Sequence, residues 1–281
     1  MKTLWAFVTG LLVSLSVQAA DIAVSPLLID LSATANETVP FEFNIAGKDR
    51  AKVRLSVYDL AQMETGHMGF IEANADDKLS KINWITLEKS TLEIRKDSNQ
   101  TVRGEVKLPR KSNGNHLAAV MVEEVKEGDR KNGINLNVRY AVILNINATS
   151  KKSRPRIKTE FKALELVRVD DRLMVVGDFT NLSNKDGFLL SEVHIRDNNR
   201  KLVEKVRLMT ESAWQRQDPA SRVFPESRVK VFGFVGSDLS EGTYEFKVRN
   251  RFSDRSQPTY KVQLDYNDSI RQIIRATAAE S

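Results

Sequence analysis

The sequence predicts an all-β protein built from two antiparallel β-sandwich domains in tandem. Apolar residues recur at every second position in many short segments, which is the period of a strand with one buried face. Turn-forming clusters of Gly, Asn, Asp and Pro separate these segments. A basic stretch poor in apolar residues, Ala148–Pro155, divides the pattern into two parts of similar size. Seven or so strands at the spacing of the first part are typical of an immunoglobulin-like sandwich.

Composition excludes several classes of function. The 281 residues include no cysteine, so disulfides, thiol nucleophiles and cysteine metal sites are ruled out. The formal net charge of +6, from 43 basic and 37 acidic residues, is too small an excess to predict a nucleic-acid-binding protein.

The first twenty residues resemble an export signal. Lys2 precedes the apolar run Leu4–Leu15, and small residues around Ala19 suit cleavage. Residues 1–19 are therefore predicted to be a signal peptide, and its removal should leave an exported protein with no integral membrane segment.

Residues 20–148 are predicted to form the first domain. Its first strand, Ile22–Leu31, contains Pro26, which cannot donate to a ladder, so this strand should lie at an edge or contain a break. Residues 61–81 lose the alternation and are predicted to be a loop. Further strands are predicted from alternating or apolar residues at Val39–Ile45, Val53–Val57, Trp84–Ile85, Leu92–Ile94, Val102–Leu108 and His116–Val125.

The closing strand of this domain, Ile134–Ile146, is the main candidate for function. Its even-numbered residues are apolar throughout, and it is longer than the usual five or six residues. Such a strand either spans a core or offers an edge to another chain, and the sequence leaves both alternatives open.

The second half repeats the pattern. Residues 149–156 are predicted to be a linker, residues 157–265 a second immunoglobulin-like sandwich, and residues 266–281 a C-terminal tail. Asp170-Asp171 should form a hairpin turn, and Met209–Ser221 is predicted to be irregular. In the tail, Ser269–Ala276 could form two helical turns or a frayed end.

No residues indicate catalysis. The three histidines, His67, His116 and His194, show no ligand spacing, and neighbouring carboxylates of a strand point to opposite faces. We therefore predict no enzyme, no cofactor and no metal. Trp214 lies in a polar stretch and is predicted to be a surface contact.

Three stretches carry a resemblance to a known family: VSPLLIDL, WITLEKSTLEI, and the pair HLAAVMVEEV and INLNVRYAVILNI. They resemble, as a divergent member, the periplasmic chaperones of chaperone–usher pilus assembly. The resemblance implies a periplasmic chaperone that binds pilus or surface subunits by strand donation, with an outer-membrane usher as a further partner. It implies a donor strand, whose side chains would be Ile134, Leu136, Val138, Tyr140, Val142 and Leu144.

One feature departs from that family. Its members hold the subunit's C-terminal carboxylate with an arginine in the first strand and a lysine in the last, and VSPLLIDL has no basic residue. Arg139 is the nearest candidate for an anion anchor. The alternative is an envelope scaffold or adhesive module that binds glycan or a surface protein through sandwich loops or Trp214.

Overall fold

The computed structural model describes residues 22–72, 80–125, 138–149 and 157–266. The predicted signal peptide, most of the predicted linker and nearly all of the tail lie outside these ranges. Among the described residues, no helix is both long and apolar enough to cross a membrane. The first-half strands are β1 (Ile22–Ser25), β2 (Leu28–Thr34), β3 (Thr38–Gly47), β4 (Ala51–Gln62), β5 (Met68–Glu72), β6 (Ile85–Leu87), β7 (Thr91–Ile94), β8 (Asn99–Lys107), β9 (Gly114–Glu124) and β10 (Arg139–Thr149).

The second half contains one α-helix among its strands, within the described ranges. Its elements are β11 (Thr159–Val169), β12 (Arg172–Asn181), β13 (Gly187–Arg196), β14 (Leu202–Leu208), α1 (Glu211–Arg216), β15 (Ser221–Val223), β16 (Arg228–Phe234), β17 (Gly242–Phe252), β18 (Arg255–Ser256) and β19 (Tyr260–Tyr266). The predicted all-β fold of two immunoglobulin-like sandwiches is confirmed.

Two sheets face each other in the N-terminal sandwich. One has the strand order β1-β3-β8-β6, and the other has the order β2-β10-β9-β4-β5, with β7 paired to β4. The predicted break at Pro26 is confirmed, because β1 ends at Ser25 and pairs with β3, whereas β2 begins at Leu28 and pairs with β10 in the other sheet. The chain thus crosses from one layer to the other beside the last strand.

Alternating side chains fill the space between these sheets. In β3, Phe41, Phe43 and Ile45 are buried, as their period of two predicts. Each fully buried side chain of this size contributes roughly 1.5–3 kcal/mol. The core extends from Ile22 to Ala148.

The C-terminal sandwich has its own core, from Leu164 to Leu264. Its sheets have the orders β11-β12-β16 and β14-β13-β17-β18, with β15 paired to β13 and β19 paired to β17. The predicted hairpin at Asp170-Asp171 is confirmed, and both residues have positive φ, as a tight two-residue turn requires. The exact limits of the two domains stay a prediction.

Two segments differ from the sequence prediction. The prediction of a loop from residue 61 is wrong at Ala61–Gln62 and Met68–Glu72, which pair as part of the β4–β5 hairpin. In the irregular segment after β14, α1 forms because Thr210 caps it, its hydroxyl accepting from the Ala213 N–H at 3.3 Å. The apolar side chains of β5, at Met68, Phe70 and Ile71, are exposed, and α1 has only six residues, so neither segment shows the extended apolar period on which the prediction relies.

The β4–β5 turn contacts the C-terminal sandwich. The Gln62 amide donates to the Arg222 carbonyl at 2.8 Å and accepts from the Phe224 N–H at 2.8 Å. The Ser212 N–H donates to the Thr65 carbonyl at 2.9 Å. Gly66, with φ of +84°, lies so close to Thr210 that an added Cβ would be 2.7 Å from its side chain. This turn therefore fixes one sandwich against the other.

Candidate functional site

Strand β10 is paired along nearly its whole length on one side and over a shorter segment on the other. Strand β9 pairs with Arg139–Ala148, whereas β2 pairs with Ile143–Thr149. Within the described ranges, the segment Arg139–Val142 therefore has a neighbouring strand on the β9 side and none on the β2 side. We call this segment the open edge.

The direction of the main-chain groups follows from one hydrogen bond. The Ile143 N–H donates to the Leu27 carbonyl at 2.8 Å, so Ile143 directs its polar groups to the β2 side. Successive residues of a strand alternate in this direction, so Ala141 and Arg139 direct their N–H and C=O groups to the same side. Two donors and two acceptors of the open edge thus face away from β9.

The side chains of β10 divide between two faces. Val142, Leu144 and Ile146 are fully buried in the N-terminal core, each with 0% of its surface exposed. Tyr140 is half-buried on the same face, and its hydroxyl donates to the Ile22 carbonyl at 2.8 Å. The hydrophobic effect therefore holds the C-terminal part of the strand in its own sandwich.

The predicted donor side chains are consequently not equivalent. Ile134 and Leu136 lie outside the described residues, and Val138 is half-buried just before β10 begins. Val142 and Leu144 lie inside the core with Tyr140 at its margin. The period of two in the sequence placed all six on one face, but only the packing shows where along the strand that face becomes enclosed.

The opposite face of this sheet is apolar beside the open edge. Ala141 and Ile143 are half-buried there, and they lie opposite Met121 and Ala119 of β9. Leu28, at the start of β2, is 54% exposed. We call this the outward face, and it offers a partner apolar contact next to the unpaired main chain.

Arg139 is already paired. Its guanidinium contacts the Glu123 carboxylate through two nitrogens, each at 3.0 Å, across the β9–β10 ladder. More than half of the arginine side chain is exposed, and exposed pairs of this kind contribute about 1 kcal/mol or less. An anion anchored by Arg139 would have to compete with Glu123.

Trp214 lies in the other sandwich, on α1. Its ring is 50% exposed and lies 5.9 Å from the ring of Phe232 and 6.0 Å from that of Phe234. The Arg172 guanidinium stacks over Phe234 at 4.2 Å from its centroid. The structure therefore gives Trp214 a small aromatic surface on the C-terminal sandwich, whereas the open edge belongs to the N-terminal one.

A cavity of about 100 Å³ between the two sandwiches is lined by residues that include Gln62, His116 and Phe224. Burial, and to a lesser degree the charge of Lys81, lower the pKa of His116 to about 4. Its Nε2 atom is buried without a hydrogen-bond partner in the described structure. Its ring packs edge-on against Trp84, with 4.8 Å between the centroids. His116 is thus a neutral residue of the inter-domain contact, and no described group of three ligating side chains could hold a metal.

No family model and no curated protein matches the sequence. Among solved structures, the chain is similar to a chain of the chaperone–tip adhesin complex of CFA/I fimbriae biogenesis, with a TM-score of 0.47, 12% identity and coverage of 87% of this chain and 98% of that one. It is also similar to the class 5 fimbriae chaperone CfaA, with a TM-score of 0.44, 11% identity and coverage of 86% and 98%. For a chain of the CsuC–CsuE complex from the archaic Csu pili of Acinetobacter baumannii, the TM-score is 0.42, the identity 14% and the coverage 87% and 98%.

Many of the similar structures come from fimbrial chaperone–usher systems, at 9–14% sequence identity, which agrees with the family that the sequence resembles. Because these TM-scores lie below 0.5, the function proposed for this chain rests on its open edge.

Proposed function

We propose that this chain is a non-enzymatic periplasmic chaperone that captures a β-rich pilus or surface subunit by strand addition at the open edge. The observation that carries the proposal is the unequal pairing of β10, whose residues Arg139–Val142 have a strand on the β9 side alone. Sheet edges normally pair, or are blocked by charge, proline or a covering loop. In the described structure, the main-chain groups of Ala141 and Arg139 have no strand opposite them.

The added strand would continue the line of β2. Its main chain would bond to Ala141 and Arg139, which supplies affinity without regard to sequence, and alternate side chains would supply selectivity. The buried side chains of Val142 and Leu144 would keep β10 attached to its own core while the partner binds. Ile134, Leu136, Val138 and Tyr140, in the preceding part of the alternation, are the side chains that we propose to enter the partner.

The partner and the location are part of the same proposal. A subunit that lacks a strand would bind until another protein supplies that strand, and an outer-membrane usher would receive the complex. Residues 1–19 would direct export to the periplasm.

Proline at position 141 tests the proposal. Ala141→Pro removes an N–H that has no strand partner in the free protein, and it places the proline ring where a partner strand would lie. We expect unchanged folding but at least a tenfold loss of affinity for a strand-forming probe, such as a capped peptide of alternating valine and threonine, because a lost main-chain bond and a steric clash act together.

Ser32→Pro is the matched control. The Leu27 carbonyl points to β10, so by alternation the Ser32 N–H points away from β10, at a different edge. This variant should bind the peptide as the wild type does. Amide exchange provides a second measurement, since the Ala141 N–H should become protected when the peptide binds. Equal binding by Ala141→Pro and wild type would refute strand addition at this edge.

The rival function is an envelope scaffold or adhesive module, which the half-exposed Trp214 favours. A glycan array and an envelope-protein pull-down with wild type, Trp214→Ala and Ala141→Pro separate the two proposals. Binding that is lost in Trp214→Ala but kept in Ala141→Pro would support the rival.

A further inference from the structure

A polar pair lies beyond the end of the open edge. Asp30 of β2 and Asn145 of β10 are direct partners in the parallel ladder, one row of the outward face beyond Ile143 and Leu28. Their neighbours Ile29, Leu144 and Ile146 belong to or pack against the core, so alternation directs Asp30 and Asn145 to the outward face. Leu117, the β9 partner of Asn145, completes the row.

One hydrogen bond fixes the geometry of this pair. The Asn145 Nδ2 donates to the Asp30 Oδ1 at 2.6 Å. A carboxylate only accepts, so the amide nitrogen must be the atom that faces it, and the Asn145 Oδ1 is turned away. That oxygen is buried and has no donor among the described residues. Asn145 thus holds the exposed Asp30 carboxylate in one orientation.

The row of Asp30, Asn145 and Leu117 offers hydrogen-bond acceptors but contains no positively charged side chain. No described basic group forms an ion pair with Asp30, whose other oxygen is free to accept. On the described parts of β2 and β10, the outward-facing charged residues are Asp30 and Arg139, and Glu123 already neutralises Arg139. The only charge of these two strands that lacks an ionic partner is therefore negative and lies next to the apolar surface of Ile143 and Leu28.

We propose that Asp30, positioned by Asn145, binds a lysine or arginine side chain at the end of the partner strand. This inference rests on the proposed strand addition. The last outward-facing residue that can pair with the open edge lies opposite Ala141, two rows or about 13 Å along the strand from the row of Asp30. The basic side chain is therefore carried by a residue just past that pair, and its apolar stem crosses the exposed Leu28. The charge of Asp30 is opposite to that of the basic residues which hold the subunit's carboxylate in the family that the sequence resembles. Asp30 would therefore select partners that carry a positive charge at this position.

Two capped peptides with the same alternating valine–threonine core test the inference. One carries lysine at both ends and the other glutamate at both ends, so the result does not depend on strand direction. The wild type should bind the lysine peptide about three- to fivefold more tightly at low salt, as expected for a partly exposed ion pair, and the preference should fade at high salt.

Variants of Asp30 test whether this residue causes the preference for the lysine peptide. Asp30→Asn, which keeps a hydrogen-bond acceptor for Asn145, should remove the preference, and Asp30→Lys should reverse it. Glu42→Gln is the matched control, because it removes one exposed carboxylate from the other sheet, where Glu42 lies 3.5 Å from Arg103. That variant should keep the preference, which excludes an effect of net charge.

The outcomes separate this inference from the proposed function. If the wild type binds both peptides equally and Ala141→Pro still abolishes binding, the role of Asp30 is refuted while strand addition stands. A lysine preference that survives in Asp30→Asn would also refute it. If neither peptide binds the wild type, strand addition and the role of Asp30 fail together.

Discussion

Two adjacent residues of β10 give the most direct test of how this strand is used. Val142 lies opposite Val120 of β9 and is fully buried in the N-terminal core, whereas Ala141 is half-buried on the outward face. The same substitution, to aspartate, should therefore have opposite consequences at the two positions. Val142→Asp should unfold much of the N-terminal sandwich, and Ala141→Asp should leave it folded.

The magnitude follows from burial. Loss of a buried valine costs roughly 1.5–3 kcal/mol. An aspartate with an ordinary pKa of about 3.9 must in addition be kept neutral in the core at pH 7, which costs about 4 kcal/mol at 1.36 kcal/mol per pKa unit. The total, about 6 kcal/mol, is comparable to the whole stability of an ordinary domain. Ala141→Asp should cost about 1 kcal/mol or less, because its carboxylate can reach water.

Urea denaturation, followed by circular dichroism, measures both free energies of unfolding. The pH dependence adds a signature for Val142→Asp. Burial raises the pKa of the introduced aspartate above its unfolded value, so the folded state takes up a proton first as the pH falls. The difference in free energy of unfolding between wild type and Val142→Asp should shrink by about 1.4 kcal/mol for each pH unit from pH 7 down towards 5. Equal losses at the two positions would refute the assignment of Val142 to the core, and the whole alternation would then be available to a partner.

Three further predictions concern the contact between the sandwiches. Gln62→Ala should cost about 2 kcal/mol of domain docking, since both of its inter-domain hydrogen bonds are lost, and faster exchange of the Phe224 N–H would report it. Gly66→Val should separate the melting of the two sandwiches in calorimetry, because positive φ and the close approach of Thr210 both oppose a side chain there; unchanged single-step melting would contradict this. His116 should make the protein less stable as the pH falls from about 6.5 to 4, because its folded pKa of about 4 lies below the unfolded value, and His116→Gln should reduce that slope in pH-dependent denaturation.

The open edge and the inter-domain contact have different physical origins. The edge exists because the chain pairs with β3 of the other sheet up to Ser25 and joins the sheet of β10 only at Leu28, so β2 reaches only the second part of β10. The contact exists because the β4–β5 turn is long enough to bond to the main chain of the other sandwich. A partner strand at the open edge would bind to a scaffold whose two halves are already fixed against each other.

The sequence alone determined the features that depend on neighbouring residues. The period of two in β3 and β10, the break at Pro26 and the hairpin at Asp170-Asp171 all follow from local rules of pleating, proline chemistry and turn conformation. Thiol chemistry is excluded by composition alone, because the chain has no cysteine.

Only the tertiary structure decided which part of β10 is enclosed and which part is open. Strand β2, more than a hundred residues earlier, determines where the open edge ends, and it brings Asp30 to Asn145 across a separation of 115 residues. Apolar residues occupy every second position throughout Ile134–Ile146. This pattern therefore could not distinguish Val142, which is buried in the core, from the residues before it. Pairing between distant strands is chosen by the packing of both sheets together, and no local pattern records that choice.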